Sequence, residues 1–167
     1  MADTRVTRLT RAIINGNPVM GELEGYTPPP VEKEMEDAKG GRFFAEKIMT
    51  GLKVGDASFK LSGVPVEVLQ AMGVTRGESC EITVLGVTID EDGVELPQRW
   101  EHSGEIISIK QDEVKPGKES RTLEYSCKAY KHMDGGKVIY DLNTRTQKCV
   151  VGGKDLLENA RKLVEMA

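Results

Sequence analysis

Basic residues are too few in this chain for it to wrap a polyanion. Lys and Arg number 23 against 27 Asp and Glu, giving a formal net charge of −4. Phosphate binding wants clustered cations, so a soluble protein, or a surface that repels DNA, fits the balance better. Long apolar runs are missing as well. No stretch of 18 apolar residues occurs, and the N-terminal MADTRVTRLTRAIING has no apolar signal core, so neither a membrane span nor standard export is expected. Cysteine is scarce and odd in number: Cys80, Cys127 and Cys149 stand far apart with no C-x-x-C, which argues against a zinc site or a redox motif. Buried free thiols and an intermolecular bridge remain as readings. The eight aromatics do not interleave with basic residues along a strand, so an RNA-recognition sheet is not supported.

What the chain does have is valine, glycine and proline: 16, 18 and 7 residues in a length of 167. That mix favours β-structure with many turns, and the length fits a single domain. Thr10–Ile14 reads as a strand. NGNP (Asn15–Pro18) reads as a turn, because Asn-Gly adopts positive φ cheaply, with Val19–Tyr26 as the expected partner arm. Pro28, Pro29 and Pro30 donate no backbone hydrogen, so no ladder runs through them. They predict a crossing from one sheet to another.

Val31–Asp37 then alternates with period two, Val31, Lys33 and Met35 on one side and Glu32, Glu34 and Glu36 on the other. KGGRFF (Lys39–Phe44) ends the alternation. Ala45–Leu52 and Ala57–Ser62 read as the arms of a further hairpin around KVGD. SGVPVEVLQAMG predicts a helix, with Pro65 in its first turn, Gly73 as its stop, and Val64, Val68, Leu69 and Met72 on one apolar face. Cys80–Ile89 is a strand ending in DEDG, and Val94–Lys115 carries one or two more. In Arg121–Met133, Leu123, Tyr125, Cys127 and Ala129 alternate with Glu124, Ser126, Lys128 and Tyr130. MDGGK turns the chain into Val138–Asn143, and DLLENARKLVEMA predicts a C-terminal helix. The expectation is seven to nine strands and two helices.

Asp90, Glu91 and Asp92 before Gly93 lack the later ligands of a calcium loop and read as a solvated turn. Cys127 and His132 lie five apart on one strand, hence on opposite faces, and His132 reads as an exposed strand residue. VVGGKD lacks the earlier glycine and the final Ser or Thr of a phosphate loop. Trp100 reads as a core or interface anchor. No residue pattern argues for an enzyme, a metal or a cofactor.

The order of landmarks carries more than any one motif. A strand ending in ING comes first, then a strand closed by Gly25 and the prolines, then KEMEDAKGG. A segment ending AMGV, the DEDG hairpin, DEVKPGKES, MDGGKVIYDLNT and GGKDLLENARK follow in turn. From about Ala12 to about Lys162 this order resembles the major tail tube proteins of contractile-tailed bacteriophages, the family that includes R-type pyocin tubes. The proline triplet and the three cysteines are departures from the family pattern.

The resemblance implies a mainly β fold: an antiparallel sandwich or half-barrel over residues 1–167, with one packed helix and a C-terminal helix over residues 154–165. Six copies would close into a ring whose inner wall is a continuous barrel, and rings would stack into a tube within the contractile sheath. The implied partners are further copies of the chain, the sheath protein, the tape measure protein and baseplate or terminator proteins. DNA would pass through the lumen without specific binding. Such a protein belongs to the virion and is assembled in the host cytoplasm.

Glu32, Glu34 and Glu36 are candidates for the lumen wall, with bulk solvent as the alternative. Lys39, Gly40, Gly41, Arg42, Phe43 and Phe44, within a loop over residues 39–54, are candidates for stacking between rings, with ordinary core burial of the phenylalanines as the alternative. Residues 1–10 would form an arm carrying Arg5 and Arg8, or a disordered tail. Cys80, Cys127 and Cys149 are the possible intermolecular thiols. A tube of a type VI secretion-like injection machine and a monomeric β-barrel ligand-binding module are the competing functions.

Overall fold

A computed structural model describes residues 4–19, 23–63 and 79–165. Strand β1 (Val6–Ile14) turns through Asn15 and Gly16, at φ of 47° and 83°, into the short β2 (Asn17–Val19). β1 begins at Val6 rather than Thr10, so residues 6–10 of the expected arm are strand. The expected partner arm splits. β2 covers only Ala12–Ile14, while β3 (Leu23–Thr27) leaves for another neighbour. The core draws it there: Leu23 is buried and the Tyr26 ring stacks on Phe59 with centroids 5.0 Å apart.

After the prolines, β4 (Val31–Ala38) and β5 (Glu46–Val54) form a separate two-stranded sheet. The proline crossing is as the sequence predicts, but the pairing is not. β5 was expected to pair with the segment after KVGD; instead it pairs back on β4, from Val31↔Val54 to Ala38↔Glu46. The chain then crosses at Gly55 into β6 (Asp56–Leu61), which pairs with β3. Gly55 makes the second crossing close-fitting. Its N–H donates to the Pro30 carbonyl at 2.8 Å, and a Cβ there would fall 2.6 Å from the Pro30 ring.

The remaining strands are β7 (Cys80–Ile89), β8 (Glu95–Gln111), β9 (Arg121–Asp134), β10 (Lys137–Asn143), β11 (Lys148–Val151) and β12 (Lys154–Asp155). The large sheet runs β12-β11-β10-β9-β8-β7-β1-β2, with β3 and β6 joined at β9. All of its pairings are antiparallel. The fold is therefore mainly antiparallel β, as expected, and the described sheets do not close into a barrel. Twelve strands are seen among the described residues, more than the expected seven to nine, because short strands such as β2 and β12 carry no period of their own.

Ile14, Phe59, Leu61, Ile82, Val84, Leu123 and Tyr125 are each 1% exposed or less. Burying such a side chain contributes about 1.5–3 kcal/mol, so this cluster dominates the fold. A smaller cluster of Tyr130, Leu142 and Cys149 takes Val31, Leu52, Val54 and Leu157 against it. It thereby fastens the root of the β4–β5 hairpin and the C-terminal segment to the large sheet. Trp100 packs against both clusters, which makes it a core anchor.

One bulge corrects the sequence reading of β9. Ser103 pairs with Ala129 but Gly104 pairs with Cys127, which leaves Lys128 as an extra residue. The inward face therefore passes from Cys127 to Tyr130, not to Ala129: Tyr130 is 3% exposed and Ala129 only half-buried. The reason lies across the ladder, where a Cβ on Gly104 would sit 2.0 Å from the Ser126 carbonyl oxygen. Only glycine lets the strands approach so closely. The same bulge turns His132 inward, onto the Trp100 ring at 5.1 Å, so it is neither exposed nor opposite Cys127.

The C-terminal helix is shorter than expected. Helix α1 spans Glu158–Leu163 and buries no residue. Lys154 and Asp155 instead pair with β11. Leu156, Leu163 and Val164 are exposed, and only Leu157 packs on the smaller cluster. The other predicted helix, from Val64 onward, lies outside the described residues.

Candidate assembly site

The β4–β5 hairpin carries two of the three predicted groups. β4 reads VEKEMEDA, and its alternation separates two faces. Val31, with Leu52 and Val54 from β5, packs on the smaller cluster. Glu32, Glu34 and Glu36 point to the other side, and all three are exposed. Across the ladder they meet Lys53, Gly51 and Ile48. Glu32 forms a 3.6 Å ion pair with Lys53, both groups more than half exposed, so the pair contributes little. The Glu34 carboxylate lies over Gly51, 3.4 Å from where a Cβ would stand. Thr50 is skipped in the register as a bulge, and its hydroxyl donates to the Glu34 carbonyl at 3.3 Å.

At the tip, Lys39–Phe44 leaves the ladder. Arg42 bridges to Glu46 at 2.5 Å and its N–H donates to the Lys39 carbonyl, which folds the loop on itself. Phe43 and Phe44 pack edge to face on each other at 5.1 Å. They are nevertheless 88% and 80% exposed, so within one chain they are not core residues. Gly40 and Gly41 are exposed beside them.

Among the described residues the large sheet has open margins. β2 covers β1 only at Ala12–Ile14, so Val6–Arg11 has β7 on one side and no described strand on the other. β7 pairs with β8 only as far as Gly104, and the described residues place no second strand beside Ile106–Gln111. Exposed apolar side chains mark both places: Val6 and Leu9 on the first, Ile107 on the second. The sequence reading missed this. Val6 and Leu9 fall out of period two because β1 shifts register between Thr7 and Leu9.

The third predicted group faces inward. Cys80, Cys127 and Cys149 are free and buried. Burial pushes the Cys80 thiol up to about 11 and the Cys127 thiol up to about 12, and it raises Cys149 as well. Thiolate, the reactive form, is therefore scarce at neutral pH.

Titratable groups also lie in the interior. His102 is 4% exposed, and its Nδ1 lies 2.9 Å from the Ile82 carbonyl. A carbonyl only accepts, so Nδ1 carries the proton and Nε2 accepts from the Tyr26 hydroxyl. Burial depresses the His102 pKa to about 4. Tyr125 donates to the Cys80 carbonyl, tying β9 to the start of β7. Asp90 closes its turn by accepting from the N–H groups of Asp92 and Val94. Among the described residues no group of three or more His, Cys, Asp or Glu is placed to hold a metal ion, and no helix is long and apolar enough to cross a membrane.

A model of the family described as phage tail tube protein FII matches residues 5–164. Among solved structures, the chain is similar to one from the cryo-EM structure of the anti-feeding prophage (AFP) baseplate, 6-fold symmetrised. The TM-score is 0.56 at 13% identity, covering 82% of this chain and 96% of that one; at that identity the likeness speaks to the fold. No curated protein matches.

Proposed function

This chain belongs to the phage tail tube protein FII family, a family of structural tail components, and from that premise we propose that six copies close into a ring and that rings stack into the inner tube of a contractile tail. The family match across nearly the whole chain carries this reading. The open margins support it physically. Unfinished strand edges in a free monomer invite uncontrolled pairing, and a ring disposes of them by pairing each edge with its neighbour. The sixfold symmetry applied to the related baseplate supports six as the number.

In the proposed tube, Glu32, Glu34 and Glu36 line the bore. Copies that each carry −4 give every ring a strongly negative charge, and an acidic wall repels DNA where a basic wall would hold each phosphate. The Lys39–Phe44 tip reaches to the next ring. The sheath surrounds the tube, a tape measure protein fills it before the genome passes, and baseplate and terminator proteins cap it, with assembly in the host cytoplasm. No catalytic step is required of the chain.

Negative-stain images of the purified protein test the proposal: rings or tubes are expected. A strictly monomeric species at high concentration and moderate salt overturns it. The fold shared with a baseplate chain leaves a second reading, the tube of a secretion-like injection machine. Neighbouring genes for a tape measure and a portal, as against secretion genes, separate the two.

A further inference from the structure

A groove of about 580 Å³ runs between β5 and the C-terminal part of the large sheet. Met49, Leu52, Leu142, Cys149, Leu156 and Leu157 line it, and polar side chains such as Lys53, Asn143 and Lys148 share the lining. Met49 and Leu156 leave apolar surface uncovered along it, at 49% and 52% exposed. The same chain presents a compact apolar object of matching kind, the Phe43–Phe44 pair, 88% and 80% exposed. The tip lies on the same hairpin as one side of the groove, yet it stands roughly 16 Å from Met49 and about 25 Å from Leu52, at about 3.3 Å per strand residue. A chain cannot bring its own tip back into its own groove without undoing the β4–β5 ladder.

We infer that the phenylalanine tip of one copy seats in the groove of a second copy in the adjoining ring, an inference that rests on the ring-and-tube reading. Two unlike patches joined in this way make a heterologous contact, and a contact that does not close on itself propagates in one direction. Area explains why rings must come first. A phenylalanine buries about 150–250 Å², so one tip supplies well under the roughly 1,200 Å² of a stable interface. A ring offers its tips together, and linked contacts reinforce one another. The groove's leucines and methionine need no hydrogen-bond partner to receive the rings, and Met49 adapts its shape to them.

The test uses two full-length variants and electron microscopy. F43A/F44A removes the tip and keeps the groove; Leu156→Asp keeps the tip and spoils the groove. Each is expected to form rings that do not stack. Mixed together, they are expected to give pairs of rings and nothing longer, because only one of the two possible junctions is intact. Tubes from either variant at wild-type yield, or a mixture that stays as single rings, overturns the inference. If wild-type protein forms no rings at all, it is the proposed function that fails instead. Should Leu156→Asp not fold, Met49→Asp on β5 takes its place with the same expected outcomes.

Discussion

Lowering the pH from neutrality toward 4 is expected to weaken this fold through His102. The side chain is 4% exposed and enclosed by the rings of Tyr26, Phe59, Tyr125 and Tyr130, with centroids 5.3 to 6.0 Å away. Both ring nitrogens are engaged, Nδ1 on the Ile82 carbonyl and Nε2 on the Tyr26 hydroxyl. A second proton on Nε2 would strip the tyrosine of its acceptor and bury a charge among aromatic rings. Burial is the main cause of the depression to about 4 from 6.5; the Ile82 carbonyl and the Glu101 charge work against it.

Between those two values the unfolded chain binds more protons than the folded one, so stability rises with pH in that window. It is complete above about 6.5 and lost as pH falls toward 4. The loss at the bottom is about 3 kcal/mol, at roughly 1.4 kcal/mol per pH unit of separation. His132 is depressed by burial too and adds in the same direction, so the His102 share must be isolated. Urea unfolding of the wild type and of His102→Gln, from pH 7.5 to 4, does this. The variant is less stable at neutral pH, and the gap between the two narrows as pH falls. A gap that stays constant down to pH 4.5, or an NMR titration placing His102 near 6.5, refutes the reasoning.

Other outcomes follow from single contacts. Gly104→Ala puts a methyl 2.0 Å from the Ser126 carbonyl oxygen; the strands must part, and urea titration is expected to show a loss of about 3 kcal/mol or more, or no folded protein. All three thiols are expected to resist an aromatic disulfide reagent in the native state and to react once denaturant exposes them; fast native labelling of Cys80 would contradict its burial. Replacing Glu32, Glu34 and Glu36 with lysine changes thermal stability by under about 1 kcal/mol, since the side chains are exposed. Tubes built from that variant are expected to retain short duplex DNA at low salt, read by co-sedimentation, whereas wild-type tubes do not.

Several turns and some strand lengths were legible in the residues because their causes are local. Asn15-Gly16 and Gly135-Gly136 sit at positive φ as their types demand, and Cys80–Ile89 alternates inward and outward along its whole length. Pairing was less legible. KVGD looks like a hairpin turn, yet Gly55 serves a crossing, since what decides its role is Pro30 across the gap. The flip of β9 at Lys128 is written in Gly104 on the facing strand, where no window along β9 detects it. At the C-terminus the helical spacing of Leu156, Leu157, Ala160 and Leu163 is real. Two residues just before it nevertheless complete a ladder with β11, so tertiary pairing overrides local preference. The acidic face and the adjacent phenylalanines stand out in the sequence. The groove was invisible there, being assembled from three separated segments.

The paired crossings at Pro28–Pro30 and Gly55 make the β4–β5 hairpin a cassette. Both connections leave the large sheet at one spot, and no ladder joins the two sheets. Inserting two residues into each of its strands would extend the reach by about 6–7 Å while preserving which side chains share a face. The large sheet would keep its register throughout. In the proposed tube, where the hairpin tip reaches the next ring, the distance between successive layers would then be resizable by mutation in discrete steps, independently of the architecture that builds each layer.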